Sequence, residues 1–234
     1  MAVSPSATCY GVSSTPAGGP PSVSFSNTLT GSGSHLGALL GLMYRRVPNN
    51  DITATATYGG VSMTSLGRLW LNNVSPTGGT TQSFIEIFGL LNAASGLQTA
   101  QVDVSGTSVE GEGCFGCTVY SGVGGWGTLL SEFGTEAGTS SSITSGTIAS
   151  GDYAAHLFGH ESASTITNSG SPSGYTERAQ LNFSIVTAQG IWGDAPGAGG
   201  TLTFTNSRGS GVDYAEMIVP IQAATVTSGM LAMF

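Results

Sequence analysis

Residues 52–67, Ile-Thr-Ala-Thr-Ala-Thr-Tyr-Gly-Gly-Val-Ser-Met-Thr-Ser-Leu-Gly, form the stretch whose reading decides the fold. Ile52, Ala54, Ala56 and Tyr58 alternate with Thr53, Thr55 and Thr57, the period-two signature of a half-buried strand. Gly59-Gly60 supplies two backbone positions that tolerate positive φ, as a tight hairpin turn demands. A two-residue loop then sets the register: Tyr58 opposite Val61, Thr57 opposite Ser62, Ala56 opposite Met63, Thr55 opposite Thr64. Apolar side chains meet on one face and hydroxyls on the other, with the ladder expected to end at Thr53 opposite Leu66.

The same alternation recurs on both sides of this hairpin. Strands are expected over Ser22–Leu29, Leu36–Tyr44, Arg68–Asn72, Phe84–Leu91, Leu97–Val104 and Phe115–Tyr120. They continue over Ser141–Ile148, Tyr153–His160, Arg178–Val186, Thr201–Thr205 and Tyr214–Ile221. In the last of these Ala215, Met217, Val219 and Ile221 should face inward. So many short strands with turn signals between them predict an all-β sandwich or barrel. No helical period and no internal repeat stands out. Residues 1–22 end in Gly-Gly-Pro-Pro-Ser and read as an irregular arm, and residues 223–234 read as a second one.

Composition narrows the function classes. The 234 residues carry 39% hydrophobic and only 8% charged side chains, with 37 glycines and a net charge of −8. The chain has too few charges to fit the disordered class, the net charge of −8 with no cluster of cations argues against a nucleic-acid partner, and a phosphate-binding loop is excluded by the absence of lysine. No window approaches the ~20 apolar residues of a membrane span. The N-terminus lacks the cationic start and apolar run of a signal peptide, so synthesis in a cytoplasm is expected. A surface of hydroxyls, amides and backbone has little charge to hold molecules apart, which suits assembly.

Several segments, in order, resemble a known family. These are TATYGGVSMTSLG (55–67), FIEIFGLLNAASGLQTAQVDVSG (84–106), CTVYSGV (117–123), SSITSGTIASGDYAAHLFG (141–159) and GTLTFTNSRGSGVDYAEMIVPIQ (200–222). They are similar to the jelly-roll modules of actinobacteriophage and other phage virion proteins, often labelled minor tail proteins. The resemblance spans about residues 23–222, by strand order more than by identities. It implies one jelly-roll-like antiparallel β-sandwich, with the two arms outside it. It also implies a non-enzymatic virion protein of the minor tail or tail tip, or else of head decoration or fibre. Its partners would be other phage virion proteins and further copies of itself, as a homo-oligomer, with residence in the virion.

No catalytic, cofactor or metal site is expected from the residues. In Cys114-Phe-Gly-Cys117 the thiols would face opposite sides of a strand, leaving Cys117 as a core residue beside Phe115 and Val119. His156 and His160 would be half-exposed histidines roughly 13 Å apart along a strand. Glu110, Glu112, Glu132 and Glu136 read as solvated loop carboxylates. Trp126 and Trp192 are flanked by glycine, which suggests exposed loops and a contact with a partner protein or a host-surface glycan. A carbohydrate-binding module for host attachment is therefore the alternative function. Met230, Leu231, Met233 and Phe234 end the second arm, an uncharged segment whose apolar tip should bind a neighbouring subunit.

Overall fold

A computed structural model describes residues 1–15, 22–47, 52–71, 82–106, 111–134, 139–161, 166–168, 171–183, 188–208 and 213–225. Nearly all of them are strand, and the sheets are antiparallel and packed as a jelly-roll-like sandwich. The first sheet runs in the order β1 (Ser4–Thr15), β9 (Gly111–Ser121), β3 (Gly37–Val47), β7 (Gln82–Leu91), β6 (Thr64–Trp70). The second runs β2 (Ser22–Gly31), β8 (Gly96–Ser105), β4 (Thr53–Tyr58), β5 (Val61–Ser62). A third sheet runs β10 (Val123–Trp126), β18 (Tyr214–Ala223), β13 (Tyr153–His160), β16 (Gln189–Pro196), β15 (Thr176–Asn182), and β11 (Leu130–Gly134) also lies along β18. The fourth is β12 (Ser140–Ile148), β17 (Gly200–Ser207), β14 (Thr167–Asn168).

The first two sheets use only β1–β9, and the last two only β10–β18. Apart from the two-residue β5, which has no counterpart, their pairings correspond strand for strand. The order β1-β9-β3-β7-β6 recurs as β10/β11-β18-β13-β16-β15, and β2-β8-β4 recurs as β12-β17-β14. The split of β10 from β11 falls opposite Pro220, where Gly127 donates to the Pro220 carbonyl at 2.8 Å and the proline ring has no N–H to return. The chain is thus a tandem of two sandwiches with like topology, where a single sandwich over 23–222 without repeat was expected. The repeat lies in the order of pairing, to which a comparison of residue strings is blind.

Buried apolar clusters join the four sheets into a stack. One lies between the β2-β8-β4 sheet and the first sheet, around Phe25, Leu40, Tyr58, Val102 and Phe115. A second joins the first sheet to the third through Leu39, Met43, Ile85, Leu157, Trp192 and Met217. A smaller one, with Ile143, Phe204 and Ile218, lies between the third and fourth sheets. The two middle sheets are therefore covered on both faces, which is why Ala38–Tyr44 is almost wholly apolar. It also corrects the one-sided reading of Tyr214–Ile221: Glu216 and Ile218, on the opposite face from Met217, are equally buried.

The hairpin keeps its register and loses its length. Thr57 pairs with Ser62 and Tyr58 with Val61, over Gly59 and Gly60 at φ 58° and 78°. Ala56 and Met63 are buried, joined by a 2.9 Å bond from the Met63 amide, while Thr57 and Ser62 stay out of the core. Beyond that the chain leaves: β6 crosses to pair with β7 in the other sheet, and β4 pairs with β8 instead. Val61, expected on the apolar face, is 54% exposed.

The N-terminal arm is another correction. Residues 4–15 form β1, paired with β9 from Ser4↔Ser121 to Thr15↔Gly111, with Pro5 accommodated at a register shift. Small and hydroxyl side chains hide its alternation, yet Cys9 is buried in the first core. At the other end Ala224 still belongs to the fold, its amide donating to the Gly122 carbonyl at 2.7 Å.

Candidate assembly surfaces

The ends of the four-sheet stack are two faces of unusual chemistry. On the outer side of β2-β8-β4, cross-strand rungs align Ser24 with Asp103 and Thr55, Ser26 with Gln101 and Thr57, and Thr28 with Thr99. Asp103 is held by the Gln101 amide at 2.9 and 3.0 Å. The opposite end repeats the pattern on β12-β17: Ser142 meets Thr205 at 2.9 Å and Thr144 meets Thr203 at 3.0 Å. Alternation alone produces this, since Thr201-Leu-Thr-Phe-Thr205 sends Leu202 and Phe204 inward and its threonines outward. The hairpin alternation announced the first hydroxyl face; the second was legible in that Thr-x-Thr-x-Thr string and was missed.

Positive charge is spent elsewhere. Arg68 makes a two-pronged contact with Glu86 at 2.8 and 2.6 Å, and Arg178 holds Asp194 at 2.8 and 2.9 Å. Arg45 lies 4.0 Å from Glu112, and the Arg208 guanidinium sits 4.3 Å above the Tyr214 ring. Glu112 is consequently buried, against its reading as a solvated carboxylate. Glu132 is half-buried, accepts from the Tyr214 hydroxyl at 3.3 Å, and is pushed up by burial. Glu110 and Glu136 lie outside the described residues, as do Met230, Leu231, Met233 and Phe234.

The two tryptophans are not loop residues. Trp192 is fully buried on β16, its ring laid against Gly41 and Gly116 of the first sheet and its indole N–H donating to Thr118 Oγ1 at 2.9 Å. Glycine flanks here make room for neighbours and mark no loop: a Cβ on Gly116 would lie 2.7 Å from the Trp192 ring. Trp126 is half-buried on β10 and packs over Gly37 and Gly89. Both therefore join the two sandwiches. Alongside them Tyr120 donates to Asp194 at 2.9 Å, and Tyr10 and Cys114 both donate to the Asn182 carbonyl. This polar seam between the sandwiches gave no sequence signal, because its partners are far apart in the chain.

Cys114 and Cys117 do face opposite sides. Cys114 lies in the core between the sandwiches and Cys117 in the first core with Phe115 and Val119. The histidines depart from expectation. Both are fully buried, because β13 is the centre of a sheet covered on both faces. His156 stacks on Phe204 with ring centroids 4.6 Å apart, and its Nε2 lies 2.8 Å from Glu216 Oε1. Asn206 Nδ2 donates to the same oxygen at 2.7 Å. His160 is lowered to about 4 by burial and by the nearby Arg208. Among the described residues no group of three His, Cys, Asp or Glu side chains is placed to hold a metal ion.

The fold and these surfaces define an all-β protein of two stacked sandwiches with hydroxyl end faces. Neither a family profile nor a curated protein matches the chain. Among solved structures it is similar to the protein of infectious bursal virus-derived particles, at TM-score 0.28 and 8% identity over 95% of this chain and 40% of that one. It is also similar to the major capsid protein P2 of bacteriophage PM2, at TM-score 0.29 and 12% identity over 95% of this chain and 99% of that one. The chain spans about two-fifths of the length of the infectious bursal virus proteins it matches.

Proposed function

We propose that the chain is a non-enzymatic structural protein of a phage virion, acting through contacts with other virion proteins and with its own copies. The observation that carries this reading is the pair of opposed outer faces, tiled by cross-strand Ser and Thr pairs and almost free of charge. Such faces have hydrogen-bonding groups in register and little charge to repel a neighbour. The tail or tail-tip placement, against head decoration or fibre, rests on the resemblance of the segments quoted above. A glycan-binding role has lost its main support, because Trp192 is internal and Trp126 is packed between the sandwiches.

The C-terminal segment 226–234 is the proposed link between subunits. Its tip, Met230-Leu-Ala-Met-Phe234, is apolar and uncharged. At ~25 cal/mol per Å2, burying it on a partner contributes several kcal/mol, less the cost of ordering it. Deleting 226–234 spares the Ala224 bond to Gly122 and, on the linking role, should leave the thermal midpoint within about 2 °C, a shift that corresponds to less than ~0.5 kcal/mol. Incorporation into particles, followed by immunoblot of purified virions, should be abolished. Normal incorporation of the truncated chain refutes the linking role.

A further inference from the structure

We infer that Cys9 and Cys117 are a reactive thiol pair which a peroxide converts to a disulfide, fastening the N-terminal strand β1 to β9. The two residues are directly opposed on these antiparallel strands, in a register that runs without interruption from Ala7↔Val119 to Thr15↔Gly111. Opposed Cα atoms on such a ladder lie ~4.5–5.5 Å apart, inside the ~4.4–6.8 Å that a disulfide spans. Opposed side chains here do meet: on the next rung, facing the other way, Thr8 and Thr118 touch at 3.0 Å. The two thiols are themselves in contact, the Cys117 S–H donating to the Cys9 sulfur. Both are free thiols in the first core, on the face that packs against the second sheet. Cys114 does not compete, because it lies on the other face of β9, in the core between the sandwiches.

The pair divides the work of a two-step oxidation. The hydrogen bond from Cys117 holds the Cys9 thiol below its ordinary pKa, and the same bond, with burial, raises Cys117. Cys9 is thus the sulfur that ionises. It is also the one a small oxidant reaches, since it lies on an edge strand and is 8% exposed, while Cys117 on the inner strand β9 is fully buried. The Cys9 thiolate attacks one oxygen of hydrogen peroxide; the S–O bond forms, the O–O bond breaks and hydroxide leaves. That hydroxide takes up the proton Cys9 had lost, giving water and a Cys9 sulfenic acid. The Cys117 sulfur then attacks the Cys9 sulfur. The S–S bond forms, the S–O bond breaks, and the departing hydroxide takes the Cys117 proton as a second water. Two thiols are oxidised and one peroxide is reduced. The ring so closed encloses strands β2–β8, and long rings restrict the unfolded chain most. A chain made in a reducing compartment would gain this bond on leaving it, whatever its role there.

The test is peptide mapping of the full-length protein, treated with hydrogen peroxide while folded, then quenched, alkylated and digested without reductant. The chain has no lysine, so trypsin cuts only after arginine, placing Cys9 in residues 1–45 and both Cys114 and Cys117 in residues 69–178. These two peptides are expected joined, at about 2 Da less than their sum, and parted by dithiothreitol. Cys114→Ser should keep the link. Cys117→Ser should abolish it and leave a Cys9 sulfenic acid that dimedone traps. Oxidised wild type should melt about 5–10 °C above the reduced protein, a gain that Cys117→Ser lacks. The wild-type map decides the matter even where a variant fails to fold. Thiols that stay reduced overturn the inference. So does a link that runs to Cys114 or to a second copy, or a Cys9 that passes to sulfinic acid with Cys117 untouched.

Discussion

The contact between the two sandwiches is testable through Trp192 and Gly41. Trp192 lies on β16 and is fully buried, with its ring edge over Gly41 of β3 in the facing sheet. Trp192→Ala removes the largest side chain of that core and leaves a hole walled by two rigid sheets, at a cost of about 3–5 kcal/mol. That is a large share of the roughly 5–15 kcal/mol that keeps a domain folded. Gly41→Ala acts in the opposite way. Its Cβ would lie 2.5 Å from Trp192 Cε3 and 2.9 Å from Cζ3, so the ring must shift, at about 1–3 kcal/mol of overpacking. With the indole gone, the nearest remaining atom is Leu157 Cδ1 at 3.2 Å, the far end of a flexible side chain. Gly41→Ala should then be neutral or slightly stabilising, giving a coupling of at least about 1 kcal/mol in the double-mutant cycle. Urea unfolding followed by far-UV circular dichroism measures all four proteins, provided the m-value stays constant. If Gly41→Ala costs the same with and without the indole, the ring does not rest on Gly41 and the sandwiches do not meet as described.

Two further predictions concern titration. His160 is held at about 4 in the fold against 6.5 for the free side chain, so between those values the unfolded chain binds more protons. Stability should therefore fall as pH drops from 6.5 to 4, by up to about 3 kcal/mol, and His160→Gln should flatten that slope; equal slopes in both proteins would sink the assignment. Among the thiols, burial pushes Cys114 up to about 12, whereas a hydrogen bond with Cys117 lowers Cys9. Mass mapping after brief native alkylation should find Cys9 modified ahead of Cys114 and of Cys117, whose thiol is raised by its hydrogen bond with Cys9 and by burial, and early labelling of Cys114 would contradict its place between the sandwiches.

What the sequence revealed, it revealed through period two. The strands with one wet face were legible to within a few residues: β12 begins one residue before the expected Ser141–Ile148, and β8 buries Ala100, Val102 and Val104 as expected. Strands that lie inside the stack carry no such contrast. Residues 189–196 are buried on both faces, and their glycines read as loop until Tyr175, Phe158 and Met43 are seen to occupy the space a Cβ would take. Strand β1 failed for the converse reason, since an edge strand made mostly of Ser, Ala and Thr, with Pro5 near its start, shows little alternation. The histidines followed from the same blind spot. Their depth depends on the fourth sheet covering the third, a fact of topology with no local mark at residues 156 or 160.

The tandem arrangement bears on how copies could join. Each chain ends in two hydroxyl faces, one on β2-β8-β4 and one on β12-β17-β14, pointing away from each other. If two copies met through the first face of each, the contact would be self-complementary and would close as a dimer. It would also bring Asp103 of one copy toward Asp103 of the other, in a setting with few cations to offset them. Meeting the first face with the second avoids that repulsion, because the described rungs of β12 and β17 carry only Ser, Thr and their backbone outward. A first-to-second contact is head to tail, and such contacts propagate into rings or open stacks and do not stop at two. The charge pattern therefore disfavours, for any assembly built on these faces, a pair closed through the first face of each copy.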